Sequence, residues 1–138
     1  MCIRDRPYTD PIQRFTQISD WVLKILRLNH PDASQLAIAI ENYSYGSKGQ
    51  ALFQIAENCG ILKYRLAEQK YKYSVIVPSV VKKLATGKGN ADKEMMYEQF
   101  CKDTKTDLKK LLDTTKAGNP VSDIVDSWYI AKAHYGRL

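Results

Sequence analysis

Two short strand-like stretches separated by a helix-patterned one constrain this chain more than any other feature. Leu36-Ala37-Ile38-Ala39-Ile40 is an unbroken apolar run that stops abruptly at Glu41, and residues 71–77 are rich in β-branched and aromatic side chains and end at Pro78. An unbroken apolar run is the pattern of a strand covered on both faces, as in parallel sheets. Between the two, Leu52, Ile55, Ala56 and Cys59 recur at helical spacing and predict the buried stripe of a helix reaching about Glu68. Parallel neighbours need such a crossover, because a tight hairpin joins only antiparallel strands. The pattern therefore predicts an α/β fold.

Helices flank this unit. Thr9-Asp10-Pro11 pairs a cap residue with proline at the first helical position, and Phe15, Ile18, Val22, Ile25 and Leu26 then mark one face of a helix ending near Asn29-His30-Pro31. Residues 80–84 predict a short helix, Thr86-Gly87-Lys88-Gly89-Asn90 a turn, and residues 91–102 another helix. From Thr106 the chain reads as helical, broken at Ala117-Gly118-Asn119-Pro120, with a last helix opening at Asn119-Pro120 and running to about Tyr135. Met1 to Arg6 has neither period nor cap and resembles translated read-through, so residues 7–138 are expected to form a single domain. Two strands leave an unpaired edge beside the first, where further N-terminal strands are expected.

The 138 residues suit one compact unit. Apolar residues at 44% and charged ones at 26% exclude a disordered or fibrous chain. Cys2, Cys59 and Cys101 are odd in number and lack CxxC spacing, which supports neither a disulfide framework nor a zinc knuckle and points to a reducing cytoplasm. No apolar run approaches the ~18 residues of a membrane span. With 21 Lys and Arg against 15 Asp and Glu, the net charge of +6 suits a polyanion or simply makes a basic surface.

The candidate chemistry is acidic. Glu41 ends the first strand, where open α/β sheets place their ligand crevice. Asp123 and Asp126, three apart at the start of the last helix, project from one face about a turn apart. Brought together, three carboxylates repel one another unless divalent cations neutralise them, and hard oxygen donors suit Mg²⁺ or Mn²⁺. Each has a plainer reading: Asp is favoured in a first helical turn by the dipole, and Glu41 is also a strand end that can face water. Lys82, Lys83, Lys88 and Lys93 crowd around Gly87 and Gly89, either to approach phosphates or as a solvated turn. His134 is a candidate proton shuttle or metal neighbour, or an ordinary helical histidine.

Ala39-Ile40-Glu41, Pro78-Ser79-Val80-Val81-Lys82-Lys83, Gly87-Lys88-Gly89-Asn90-Ala91-Asp92-Lys93 and Asn119-Pro120-Val121-Ser122-Asp123-Ile124-Val125-Asp126 recur in this order in RuvC-like Holliday junction resolvases, which the chain resembles from about Phe15 to His134. The resemblance implies an RNase H-like fold, of bacterial or phage origin, that binds four-way DNA junctions as a homodimer and cuts them with Mg²⁺, for which Mn²⁺ can substitute. It implies that Glu41, Asp123 and Asp126 are three of four metal-binding carboxylates, that Lys82 and Lys93 contact DNA or assist catalysis, and that His134 lies near the site. Two departures stand out. The family's first catalytic Asp lies on a strand ahead of the first long helix, a strand that Met1 to Tyr8 does not match and that Asp5 and Asp10 do not replace; the expectation is a chain that lacks its N-terminal antiparallel strands and is inactive as written. The junction-opening aromatic aligns with Ser44, leaving Tyr43 or Tyr45 to stack on unpaired bases. The alternatives are a non-catalytic DNA-binding module of the same fold, or a related nuclease acting on flaps, forks or structured RNA.

Overall fold

The computed structural model describes residues 10–29, 32–43 and 49–136, so the segment before Asp10, Ser44 and Tyr45 lie outside it. Backbone contacts group these residues into two units, one holding 10–38, 43 and 49–73, the other 39–42 and 74–136.

The first unit is a pair of long helices, α1 (Pro11–Asn29) and α2 (Gln50–Glu68). Asp10 opens α1 as expected, its carboxylate accepting from the Gln13 backbone N–H at 2.8 Å. Phe15, Ser19 and Leu23 are buried along one line of the helix, and Ile25, expected on that face, is exposed. Arg65 of α2 pairs with Asp20 of α1 and donates to the buried Ser19 hydroxyl at 3.0 Å. The expected buried stripe of α2 is corrected: Leu52, Ala56 and Cys59 are half-buried, Ile55 is exposed, and Leu66 is the buried residue. A left-handed Lys70 closes α2, with the Lys70 N–H on the Ala67 carbonyl and the Tyr71 N–H on the Leu66 carbonyl, a Schellman arrangement that buries Tyr71.

That cap explains why β2 (Tyr73–Ile76) starts later than the composition of 71–77 suggests: the amide of Tyr71 is already used by the helix end. Likewise a 3₁₀ turn over Ala33–Gln35, capped by Asp32, takes the Leu36 N–H, so β1 covers Ile38–Glu41. The two strands form a parallel pair, with the Asn42 N–H donating to the Ile76 carbonyl at 2.8 Å. β1 is half-buried throughout, not covered on both faces, and among the described residues it pairs with one strand.

The second unit packs α3 (Pro78–Thr86), α4 (Lys93–Thr104) and α6 (Val121–Tyr135) against one another. Its core is Ile76, Val81, Met96, Phe100, Val121, Val125 and Tyr129. Pro78 occupies the first turn of α3, where a missing N–H costs nothing, so the helix starts two residues before the apolar pattern does. Gly87, at φ 79°, ends α3 in a left-handed conformation that a side chain would oppose. Asp92 caps α4 by accepting from the Met95 N–H at 2.8 Å. The continuous helix expected from Thr106 is not found. Only α5 (Leu108–Leu111) forms, because a left-handed Asp113 closes it at once with the Thr114 N–H on the Lys109 carbonyl. At α6, Pro120 is the cap position and not the first helical residue, and Asn119 accepts from the Ser122 hydroxyl at 2.6 Å and does not cap the backbone. No helix among the described residues is long and apolar enough to cross a membrane.

Candidate metal and nucleic-acid site

Five of the residues singled out by sequence lie in the second unit. Glu41 is the last residue of β1; Lys82 sits in the middle of α3; Lys93 opens α4; Asp123 and Asp126 lie on the first turns of α6. Helical geometry explains which of the acids is deep. Val121, Ser122 and Val125 are buried, and Asp126, next to Val125, is half-buried, whereas Asp123 turns outward.

Burial pushes the Glu41 carboxyl above its ordinary range; the Asp126 charge adds to the rise, Lys82 opposes it, and Asp123 adds a further part. Asp126 is raised chiefly by burial, with Lys82 pulling it back, Asp123 pushing it up and Lys93 pulling it back again. Glu41, Asp123 and Asp126 thus share one field with Lys82 and Lys93. Lys83 and Lys88 do not enter it: a one-residue step along α3 rotates Lys83 away from Lys82, and both are exposed. His134 is half-buried two turns beyond Asp126 and takes no part in shifting either acid. Tyr43 belongs to the first unit, where Lys63 lies 5.8 Å from its ring.

These donors fit a hard divalent cation. The carboxylates of Glu41 and Asp126 are held partly buried and Asp123 adds repulsion from the exposed side, which a cation relieves. Among the described residues no three His, Cys, Asp or Glu side chains stand together as a ready cage. Mg²⁺ does not require one, since it keeps waters and is usually bound through one or two carboxylates plus substrate phosphates.

The sign of the pH dependence follows. Glu41 and Asp126 are raised in the folded state, so the stability linked to their protonation is present below the ordinary carboxylate range and is lost as pH climbs through the raised values. In chelator near neutral pH, Asp126→Asn is expected to stabilise the fold by about 0.5–2 kcal/mol, the usual return from relieving a functional strain. The gain shrinks from neutral to mildly acidic pH, as the falling pH passes through the raised value and neutralises the native carboxyl too. Thermal melts at neutral and mildly acidic pH check this; a melting point lowered at neutral pH would contradict it.

The fold and site together define a class: an RNase H-like α/β protein with an acidic, lysine-flanked centre at the end of a strand. The family model described as crossover junction endodeoxyribonuclease RuvC matches residues 2–134, and the chain belongs to this family. It is 31% identical over 101 residues to a crossover junction endodeoxyribonuclease RuvC of Nitratiruptor sp., covering 73% of this chain and 58% of that relative. It is 26% identical over 136 residues to the one from Helicobacter hepaticus, covering 99% of this chain and 65% of that protein. The chain therefore spans less than two thirds of the length of these curated relatives. Among solved structures it is similar in fold to Thermus thermophilus RuvC, with a TM-score of 0.62 and 21% identity over 96% of this chain and 73% of that one. The same protein in complex with a Holliday junction substrate gives 0.59 and 18%, with the same coverage.

Sequence reasoning missed Asp92, Tyr97 and Ser122. The signal for Asp92 was present, since an Asp immediately ahead of a helical pattern is a cap; nothing local marks the other two.

Proposed function

We propose that the enzyme this chain represents acts on branched DNA, four-way junctions above all, as a metal-dependent, structure-selective endodeoxyribonuclease of the cytoplasm, and that the chain as given binds such DNA without cutting it. The observation that supports it most is that Glu41 and Asp126, both half-buried, lie within electrostatic reach of Asp123 and Lys82, and Asp126 also of Lys93, in a chain of the RuvC family. Glu41, Asp123 and Asp126 would hold Mg²⁺, or Mn²⁺ in its place, and such a cation would supply Lewis-acid chemistry for phosphodiester hydrolysis. Lys82, half-buried beside both raised acids, and Lys93 grip the phosphate, while the exposed Lys83 and Lys88 neutralise flanking ones. Tyr43 and Tyr45 supply rings for unpaired bases, and His134 stands behind the site. The partner subunit is a second copy: Trp21, Ile25 and Leu28, at 54%, 40% and 71% exposure, form an apolar line on α1 of the kind a protein surface covers.

Competition against a labelled four-way junction tests this reading, with unlabelled junction, fork, linear duplex and RNA–DNA hybrid as competitors. Junction is expected to displace the label at least about tenfold better than duplex, within the usual span between specific and non-specific binding. Equal displacement by duplex would contradict it. A non-catalytic module of the same fold is the second reading, favoured by Asp123, which is exposed and leaves Glu41 and Asp126 as the half-buried pair. Junction binding that Mg²⁺ does not tighten would select it.

A further inference from the structure

The second unit contains a cavity of about 260 Å³ that adjoins the carboxylate centre and shares Lys82, Lys93 and Asp126 with it. Its inner walls come from α4, α6 and the loops before them: Ala91, Met96, Tyr97, Ala117 and Val125, each at most 7% exposed. The side that reaches solvent is charged, formed by Lys82, Asp92, Lys93 and Asp126. Two polar groups inside are already committed. The Tyr97 hydroxyl donates to Asp107 and accepts from the Lys109 N–H, leaving only its ring toward a ligand, and the Ser122 hydroxyl donates to Asn119, leaving only lone pairs.

An apolar slot with an aromatic wall, one free acceptor and two ammonium groups at the rim suits a flat ring system joined to an anion. The volume lies just under the ~300–1,000 Å³ of pockets for drug-sized ligands, so it holds one ring system and not two. Asp92 is no obstacle at the rim, because its carboxylate is turned onto the Met95 N–H. Lys82, Lys93 and Asp126 are common to this cavity and to the proposed metal and phosphate site, so a strand gripped there passes the cavity entrance.

We propose that this cavity receives a single nucleobase of the bound DNA strand, unstacked from its neighbours, next to the phosphate held by Lys82 and Lys93. The inference rests on the DNA-binding reading above and adds to it a base-holding subsite. Bases at a branch point are the least costly to unstack, and an apolar pocket with a ring wall recovers the lost stacking. Ala117 and Ala91 are small where a larger side chain would fill the space.

The test uses the full chain and four-way junctions carrying 2-aminopurine at each position beside the crossover in turn, with anisotropy and fluorescence read in one titration. Fluorescence is expected to rise severalfold at one position as the base leaves its stack. Ala117→Leu is expected to return it to the free-DNA level while junction affinity changes by no more than about threefold, because the phosphate contacts that dominate affinity are untouched. Ala91→Leu fills the cavity from a different loop and serves if Ala117→Leu melts too low to assay. Binding without a rise at any position, or a rise that persists in a folded leucine variant, would overturn the subsite and leave the DNA-binding reading standing. Absence of junction binding by the wild-type chain would overturn both.

Discussion

Replacing Lys82 and Lys93 together by alanine is expected to lower affinity for a four-way junction by about a hundredfold at moderate salt. Each ammonium, if it donates to a phosphate, contributes roughly 1.5 kcal/mol or a little more as a charge-assisted bond, and two such losses multiply. The salt dependence makes the test specific. The slope of log affinity against log salt concentration should flatten by about 1.8, since each phosphate contact on duplex DNA contributes about 0.9. Lys83→Ala with Lys88→Ala removes the same formal charge from exposed positions outside the shared field, and should cost several-fold less. A double variant of Lys82 and Lys93 that binds like wild type, with an unchanged slope, would remove the lysines from the site. Stability should be checked in parallel, because Lys82 is also the cation that offsets the partly buried Glu41 and Asp126.

Tyr129→Ala should be the most damaging single truncation in the second unit. Tyr129 is fully buried, its ring meets Trp128 edge-on at 4.8 Å, and its hydroxyl donates to Asp103 at 2.7 Å, holding that carboxyl below its usual range. Loss of a buried aromatic side chain costs roughly 3–5 kcal/mol, against a total stability usually near 5–15 kcal/mol. A melting point lower by ten degrees or more is expected, on the order of 3–6 °C for each kcal/mol in a chain of this size. Tyr129→Phe keeps the ring and loses only the bond to an exposed partner, so its cost should stay near about 1 kcal/mol. Two equally damaged variants would mean that the hydroxyl, and not the packing, ties α4 to α6.

The candidate site was legible where a residue broke a local pattern. Glu41 stands out because a charge ends an apolar strand, and Asp123 and Asp126 because helical spacing puts them on one side. Depth was not legible: the three acids look alike in sequence, and only the packing of Val121, Ser122 and Val125 makes Asp126 half-buried and leaves Asp123 outside. The four lysines also look equivalent, and the rotation of α3 separates Lys82 from Lys83. In the fold, the short apolar runs gave both strands, but their lengths were set by turn and cap hydrogen bonds at Leu36 and Tyr71 that composition does not reveal. The over-long helix expected after Thr106 failed for the same reason, at a left-handed Asp113 with no glycine to announce it. Ties such as Tyr97 to Asp107 and Tyr129 to Asp103, and the cavity beside them, join residues with no shared local pattern, so they arise only when the helices pack.

The central claim is that the acids of this site work with a divalent cation to hold DNA. Junction affinity measured in Mg²⁺ and in chelator at equal ionic strength, for wild type and for Glu41→Gln with Asp126→Asn, tests it most directly. The account predicts that Mg²⁺ tightens wild-type binding, that this effect fades as pH falls through the raised carboxyl values because the ligands must lose their protons, and that the double variant binds at least as well as wild type in chelator yet gains nothing from Mg²⁺. Equal tightening by Mg²⁺ in both proteins would contradict it.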